Sequence, residues 1–114
     1  MSSCGIVILN FNSPEDTIRL TRSLLHQEGV SIKIVIVDNG SDDDSYNRFK
    51  DIAKLSDKIT VIRNDYNSGY AVGNNIGLKF LSEVDYKCII NPDVIVSDAH
   101  LIHKLIELYE TLKD

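Results

Sequence analysis

Ile32-Lys33-Ile34-Val35-Ile36-Val37-Asp38-Asn39-Gly40-Ser41 is the stretch on which the fold turns. Ile32 to Val37 is β-branched apart from one lysine and runs straight into turn formers, so it reads as a buried strand. Asp38 to Ser41 is then the loop at that strand's C-terminal end. The same unit recurs along the chain. Cys4 to Leu9 is a strand closed by Asn10-Phe11-Asn12, Ile59 to Ile62 a strand followed by the polar turn Asn64 to Gly69, and Tyr86 to Ile90 a strand closed by Asn91-Pro92-Asp93, with Val94 to Val96 as a brief extension.

Helical patterns fill the gaps. Ser13-Pro14-Glu15-Asp16 offers an N-cap, a proline at the first helical position and acids in the first turn; Ile18, Leu24 and Leu25 follow on one face, and Gly29 is the expected stop. Tyr46, Phe49, Ile52 and Ala53 set a helix over about 45–55, with Asp42, Asp43 and Asp44 capping and starting it. Ile76 and Phe80 share one side of a helix over about 71–81. Asp98 caps a last helix, with Leu101, Leu105, Leu108 and Leu112 in register. This β-α-β-α-β-α-β-α order predicts an α/β fold of Rossmann-like kind: a mostly parallel sheet of about four strands with helices on both faces. Residues 1–114 read as a single domain without internal repeat or linker.

Composition narrows the function. The chain is 43% hydrophobic and 25% charged, a globular balance that excludes disorder over most of its length. Its net charge of −5, with scattered basic residues, argues against a nucleic-acid partner. Ile6 to Leu9 and Ile34 to Val37 are too short to span a bilayer or to serve as a signal core. A cytoplasmic location is expected, with attachment to the inner membrane face only through segments outside this sequence. Cys4 and Cys88 lie in or beside apolar runs and read as buried thiols, with no CxxC or Cys/His cluster to suggest zinc. His26, His100 and His103 fall on helices away from the loops.

In open parallel sheets ligands bind beyond the carboxyl ends of the strands. Asn10 to Ser13, Asp38 to Asp44, Asn64 to Gly73 and Asn91 to Asp93 all fall on that edge. No Gly-x-Gly-x-x-Gly and no P-loop is present, which disfavours a classical dinucleotide site and a P-loop ATPase. A carboxylate at the strand tip, Asp38, can accept from a base N–H or a ribose hydroxyl, or simply cap its own loop. Gly69, Gly73 and Gly77 together cost a helix roughly 1 kcal/mol each against alanine. Close approach to a ligand or tight packing on the sheet would compensate, and Asn75 could aim its amide at the same ligand. Asp93, held by Pro92, is placed to ligate a hard cation, which would supply the positive charge that an acidic chain lacks.

Four stretches together resemble the N-terminal half of glycosyltransferase family 2, especially rhamnosyltransferase-like members. They are Ile6-Val7-Ile8-Leu9-Asn10-Phe11-Asn12, Val37-Asp38-Asn39-Gly40-Ser41, Asn67-Ser68-Gly69-Tyr70-Ala71 through Asn75-Ile76-Gly77, and Ile90-Asn91-Pro92-Asp93. Each is weak alone; the order and spacing of all four carry the resemblance over nearly the whole chain. It implies a GT-A fold and sugar transfer, with inversion, from a UDP- or dTDP-linked donor in polysaccharide or glycan synthesis. It implies that Asn10 and Asn12 line the nucleotide pocket, that Asp38 hydrogen-bonds the base, and that Gly69, Ala71 and Asn75 border base and ribose. Asn91-Pro92-Asp93 stands where the family carries Asp-x-Asp, so Asp93, helped by Asn91, would hold Mn²⁺ or Mg²⁺. The family's general base lies in a second, acceptor-binding half. That half is expected to be absent here, so no catalytic residue is assigned and the chain alone should be inactive.

Two other readings compete. A non-catalytic nucleotide-binding or interaction module could share the fold. A nucleotidyltransferase would want a Gly- and Arg/Lys-rich loop after the first strand, which Asn10-Phe11-Asn12-Ser13 does not provide. A half-sheet left uncovered would expose apolar surface, so a homo-oligomer is expected.

Overall fold

A computed structural model describes residues 1–113. Four parallel strands form one sheet: β1 (Ser3–Asn10), β2 (Ser31–Asn39), β3 (Ile59–Asn64) and β4 (Tyr86–Ile89), in the order β3-β2-β1-β4. The helices are α1 (Pro14–Leu24), α2 (Ser45–Ala53), α3 (Tyr70–Phe80) and α4 (Leu101–Leu112). The chain steps outward from β1 to β2 to β3, then returns to the far side of β1. Because crossovers between parallel strands keep one hand, reversing the direction of travel moves the connecting helix to the other face. One face accordingly packs Leu20 and Leu24 of α1, Phe49 of α2 and Ile102 of α4 on Ile6, Ile8, Ile34 and Ile36. On the other face Val7, Val35, Val37 and Leu81 form a smaller core beneath α3.

The expected strands and helices are all present, with boundaries shifted by local chemistry. Helix α1 ends at Leu24 rather than near Gly29, tapering through short-range turns, His26 N–H to Ser23 and Gln27 N–H to Leu24. Gly29 lies beyond in the loop, at φ 81°. Val94 to Val96 does not extend β4. Asp98 accepts from the His100 N–H, so it braces the turn ahead of α4, whose own N-cap is His100. Gln27 then clamps this entry, donating to the Asp98 carbonyl and accepting from the Ile102 N–H.

Much of the apolar surface of the last two helices turns outward. Helix α4 seats Ile102, with Leu101 and Ile106 half-buried, while Leu105, Leu108 and Leu112 face away from the sheet. In α3 the closest approach to the sheet is made by Gly73 and Gly77, with Leu78 half-buried against the same core, and Phe80 is exposed. A methyl group at Gly77 would come to 2.5 Å from Val7 Cγ1, and one at Gly73 to 2.5 Å from Leu9 Cδ1. Tight helix–sheet packing thus accounts for these two. Gly69 differs: it sits at φ 88° with open space where a side chain would go.

At the amino edge, Ser3 and Asp85 clasp each other. The Ser3 N–H and hydroxyl donate to the Asp85 carboxylate, and the Asp85 N–H donates back to Ser3 Oγ. Burial pushes the Cys4 thiol up to about 12, with neighbouring Cys88 adding to the effect. Burial raises Cys88 as well, and both cysteines are free thiols. Among the described residues no helix is long and apolar enough to cross a membrane.

The close approach of α3 gives a direct test. Gly77→Ala should gain helix propensity yet lower stability by about 1–3 kcal/mol, because overpacking outweighs it. Urea unfolding reads this as a lower midpoint at unchanged slope; an unchanged midpoint would refute the packing account.

Candidate nucleotide site

The carboxyl ends of β1, β2 and β3 finish on a polar row. Strand register sets Asn10 beside Asp38, and Asp38 beside Arg63. Side chains alternate between faces, so the row continues the Ile8 and Ile36 side, under α1 and α2. Asp38 and Asn10 are both fully buried. A carboxylate so placed must be paired and hydrogen-bonded. Arg63 Nη1 lies 3.1 Å from Asp38 Oδ2. The Ser41 hydroxyl donates to Asp38 Oδ1, and the Asn10 amide reaches the same oxygen at 3.4 Å. Thr17 of α1 completes the set, donating to Asn10 Oδ1 at 2.7 Å.

Ser41 is the hub of the two loops. Besides donating to Asp38, its oxygen accepts from Asn10 Nδ2 at 3.2 Å and from the Asn12 N–H at 2.9 Å. Asn12 returns the link by accepting from the Asp42 N–H. Its φ of 53° is left-handed, a conformation asparagine tolerates better than most residues. The loop after β1 is therefore fixed on the loop after β2, and Phe11 at its tip stays 45% exposed. Asp43 accepts from the Ser45 N–H and so starts α2, as its position in the sequence predicts.

The opposite side of the row is organised by Asn39, which is buried. Its amide donates to Asn67 Oδ1 and the Gly69 carbonyl; its oxygen accepts from Asn64 and from the Ser68 N–H and hydroxyl. One side chain thus shapes the whole turn that leads into α3. Gly40 lies against the same turn: any Cβ there would come within 2.3 Å of the Tyr66 carbonyl carbon.

The residues singled out in the sequence fall into two groups. Asn10 and Asp38 are buried and build the floor. Asn12, Gly69, Ala71, Asn75, Asn91 and Asp93 are on or near the surface of the carboxyl edge. Asn74, not Asn75, is the buried asparagine of α3; it donates to the Tyr70 carbonyl, and its Oδ1 has no partner among the described residues. The Tyr70 hydroxyl donates to Asn91 Oδ1 at 3.1 Å, joining the start of α3 to the loop after β4. Sequence reasoning passed over Arg63, Ser41, Thr17 and Phe11 as individual site residues. Their signal was only positional: Arg63 and Ser41 lie beside strand-end residues already under suspicion.

The donor set near Asp93 is oxygen-based, which suits Mg²⁺ or Mn²⁺. It is small: one carboxylate, and an amide oxygen that already accepts from Tyr70. No group of three or more His, Cys, Asp or Glu fit to hold a metal occurs among the described residues. Such residues would suit a divalent ion only as part of a shell completed by other oxygen ligands.

Comparison with known proteins agrees with this fold. The model of the family "Glycosyl transferase family 2" matches residues 5–114. An uncharacterised glycosyltransferase of Haemophilus influenzae is 26% identical over 103 residues, covering 83% of this chain and 32% of that protein. A mannosyltransferase from Pyrobaculum calidifontis, solved with GDP-Man and Mn²⁺, superposes with a TM-score of 0.81 at 16% identity, over 97% of this chain and 32% of that one. The 1–349 portion of S. aureus TarS, solved with UDP, gives 0.77 at 19% identity, over 96% and 32%. The chain thus spans about a third of the length of these relatives and shares the GT-A arrangement with the solved ones.

The hub can be tested without any ligand. Ser41→Ala leaves Asp38 short of a donor and the Asn12 N–H short of an acceptor. It should cost about 1–3 kcal/mol and speed amide hydrogen exchange at Asn12. Unchanged exchange there would show that the loop is held by something else.

Proposed function

The chain belongs to glycosyl transferase family 2, and on that premise we propose that it is the donor-binding part of an inverting, metal-dependent glycosyltransferase. The observation that carries the reading is the carboxyl edge itself, with a polar floor under β1 to β3 and an oxygen-donor loop after β4, on either side of the strand where the chain reverses direction. That reversal point is where open α/β sheets take ligands. Residues 1–114 act as one unit in this proposal. Asn12, Gly69, Ala71 and Asn75 border the nucleoside, and the exposed Phe11 ring offers a stacking surface for the base. Asn10 and Asp38 support the pocket from below.

Asp93 would hold Mn²⁺ or Mg²⁺, with the Asn91 amide oxygen in support. The ion, when bound, would neutralise charge on the diphosphate that leaves the sugar. With one carboxylate in the set, metal and nucleotide should bind each other's complex far better than either binds alone. The donor is proposed to be a UDP- or dTDP-linked sugar, used in polysaccharide or glycan synthesis at the cytoplasmic side of a membrane. The acceptor and the base that activates it would be supplied outside the residues described here, so this chain alone should bind donor without transferring sugar.

Calorimetric titration with UDP and dTDP, with and without Mn²⁺, is the test. Mn²⁺ should tighten binding at least tenfold, about 1.4 kcal/mol, and Asp93→Ala should remove that gain while leaving the metal-free affinity in place. A folded chain that binds neither nucleotide would sink the donor reading and favour a non-catalytic interaction module.

We also propose that the chain self-associates through its outward apolar stripes, Val72 and Phe80 on α3 and Leu105, Leu108 and Leu112 on α4, all more than 40% exposed. Sedimentation should show a concentration-dependent dimer; a monomer at all concentrations would rule this out.

A further inference from the structure

The loop after β4 offers a cation one carboxylate, Asp93, and one amide, Asn91. The two groups differ in more than charge. A carboxylate presents oxygen whichever way its end turns. An amide presents oxygen one way and an NH₂ group the other, and the NH₂ end carries donors that repel a cation. Asn91 is exposed, so its own surroundings on the loop leave both orientations open.

Tyr70 makes the choice. Its hydroxyl donates to Asn91 Oδ1 at 3.1 Å. An amide oxygen has two lone pairs, so one is taken by the phenol and one is left. Both ends of this bond stand on fixed supports. Tyr70 is the first residue of α3, and the peptide groups on either side of it are held: the Gly69 carbonyl accepts from the buried Asn39 amide and from the Gly73 N–H, and the Tyr70 carbonyl accepts from the buried Asn74 amide. At the other end the Asn91 carbonyl accepts from the Val94 N–H at 3.1 Å. That bond closes a turn with Pro92 at its first central position, where proline is favoured, and Asp93 at its second. A tyrosine on one rigid element thus reaches across to a side chain on another, although its ring is 59% exposed and packs little against the core.

We infer that Tyr70 is a positioning residue for the cation: its hydroxyl turns the Asn91 amide oxygen-first, and so makes a neutral side chain serviceable where a carboxylate would need no such help. The inference rests on the metal-assisted donor reading above. Its distinctive consequence is that the worth of the Tyr70 hydroxyl depends on what stands at position 91. With Asn91 the hydroxyl matters, because the amide has a wrong way round. With Asp at that position it does not, because both ends of the side chain are oxygen.

The measurement is the gain in UDP affinity on adding Mn²⁺, read by calorimetry for four chains: unaltered, Tyr70→Phe, Asn91→Asp and the double variant. Tyr70→Phe keeps the ring and removes one hydroxyl; it should cut the Mn²⁺ gain about three- to tenfold, the worth of one hydrogen bond. Asn91→Asp should raise the gain, and adding Tyr70→Phe to it should change the gain by less than about twofold. Both positions are exposed, so the variants should fold, and thermal melting checks each. A full Mn²⁺ gain in folded Tyr70→Phe overturns the inference. So does a larger one, which would mean that the hydroxyl blocks the amide oxygen. An equal loss in the Asn91→Asp background overturns it too, since Tyr70 would then act only by shaping α3. If Mn²⁺ leaves UDP binding by the unaltered chain unchanged, the metal-assisted reading itself fails, and this inference with it.

Discussion

A carboxylate with no access to water sits at the centre of this protein's working edge, and much around it exists to make that tolerable. Removing Asp38 from solvent costs several kcal/mol before any pairing. The compensation comes from β1 through Asn10, from β3 through Arg63, and from the next loop through Ser41. Thr17 extends the network to α1. Replacing such a cluster with apolar side chains can leave a protein as stable or more so. Its value here lies in geometry: it fixes where three strands stop relative to one another, and it fixes two loops with them.

The other side of the sheet solves the same problem without charge. Asn39, one residue past Asp38, points to the opposite face and satisfies a turn through its amide alone. Two consecutive residues of β2 therefore organise the two halves of the carboxyl edge. The alternation that places Ile36 and Val37 in separate cores continues into the polar residues and becomes a division of labour.

Sequence reasoning read the fold well because the fold depends on period and order. Runs of β-branched residues separated by capped helical patterns leave few topologies open, and the chain's four strand-ends lie where those patterns stop. Which side of a helix faces the sheet was harder. In α3 the glycine spacing raised tight packing on the sheet as one of two explanations, and the structure gives that answer for Gly73 and Gly77, while the hydropathy pattern pointed instead to Ile76 and Phe80. In α4 two apolar stripes compete, and pairing with the sheet, which no local pattern encodes, decides between them. At the site, the residues with unusual loop chemistry were legible. Arg63 was not, because a lone arginine at the end of a strand has no signature until register sets it beside Asp38. Nor could the sequence reveal that Asp38 would be sealed off, which depends on donors from three separate places in the chain.

The Ser3–Asp85 clasp has a bearing on how the molecule is made. It joins residues 82 positions apart, on the first of the four strands and next to the fourth. On a ribosome, β1 can pair with β2 early, but its other edge has no partner until β4 has left the exit tunnel. At about 5–20 residues per second, that leaves the edge of a central, largely apolar strand open for several seconds. Such an edge invites pairing with other chains. The clasp can close the gap at its amino end as soon as Asp85 arrives, one residue ahead of β4, so a surface pair of modest strength ends that interval by setting the register of the fourth strand.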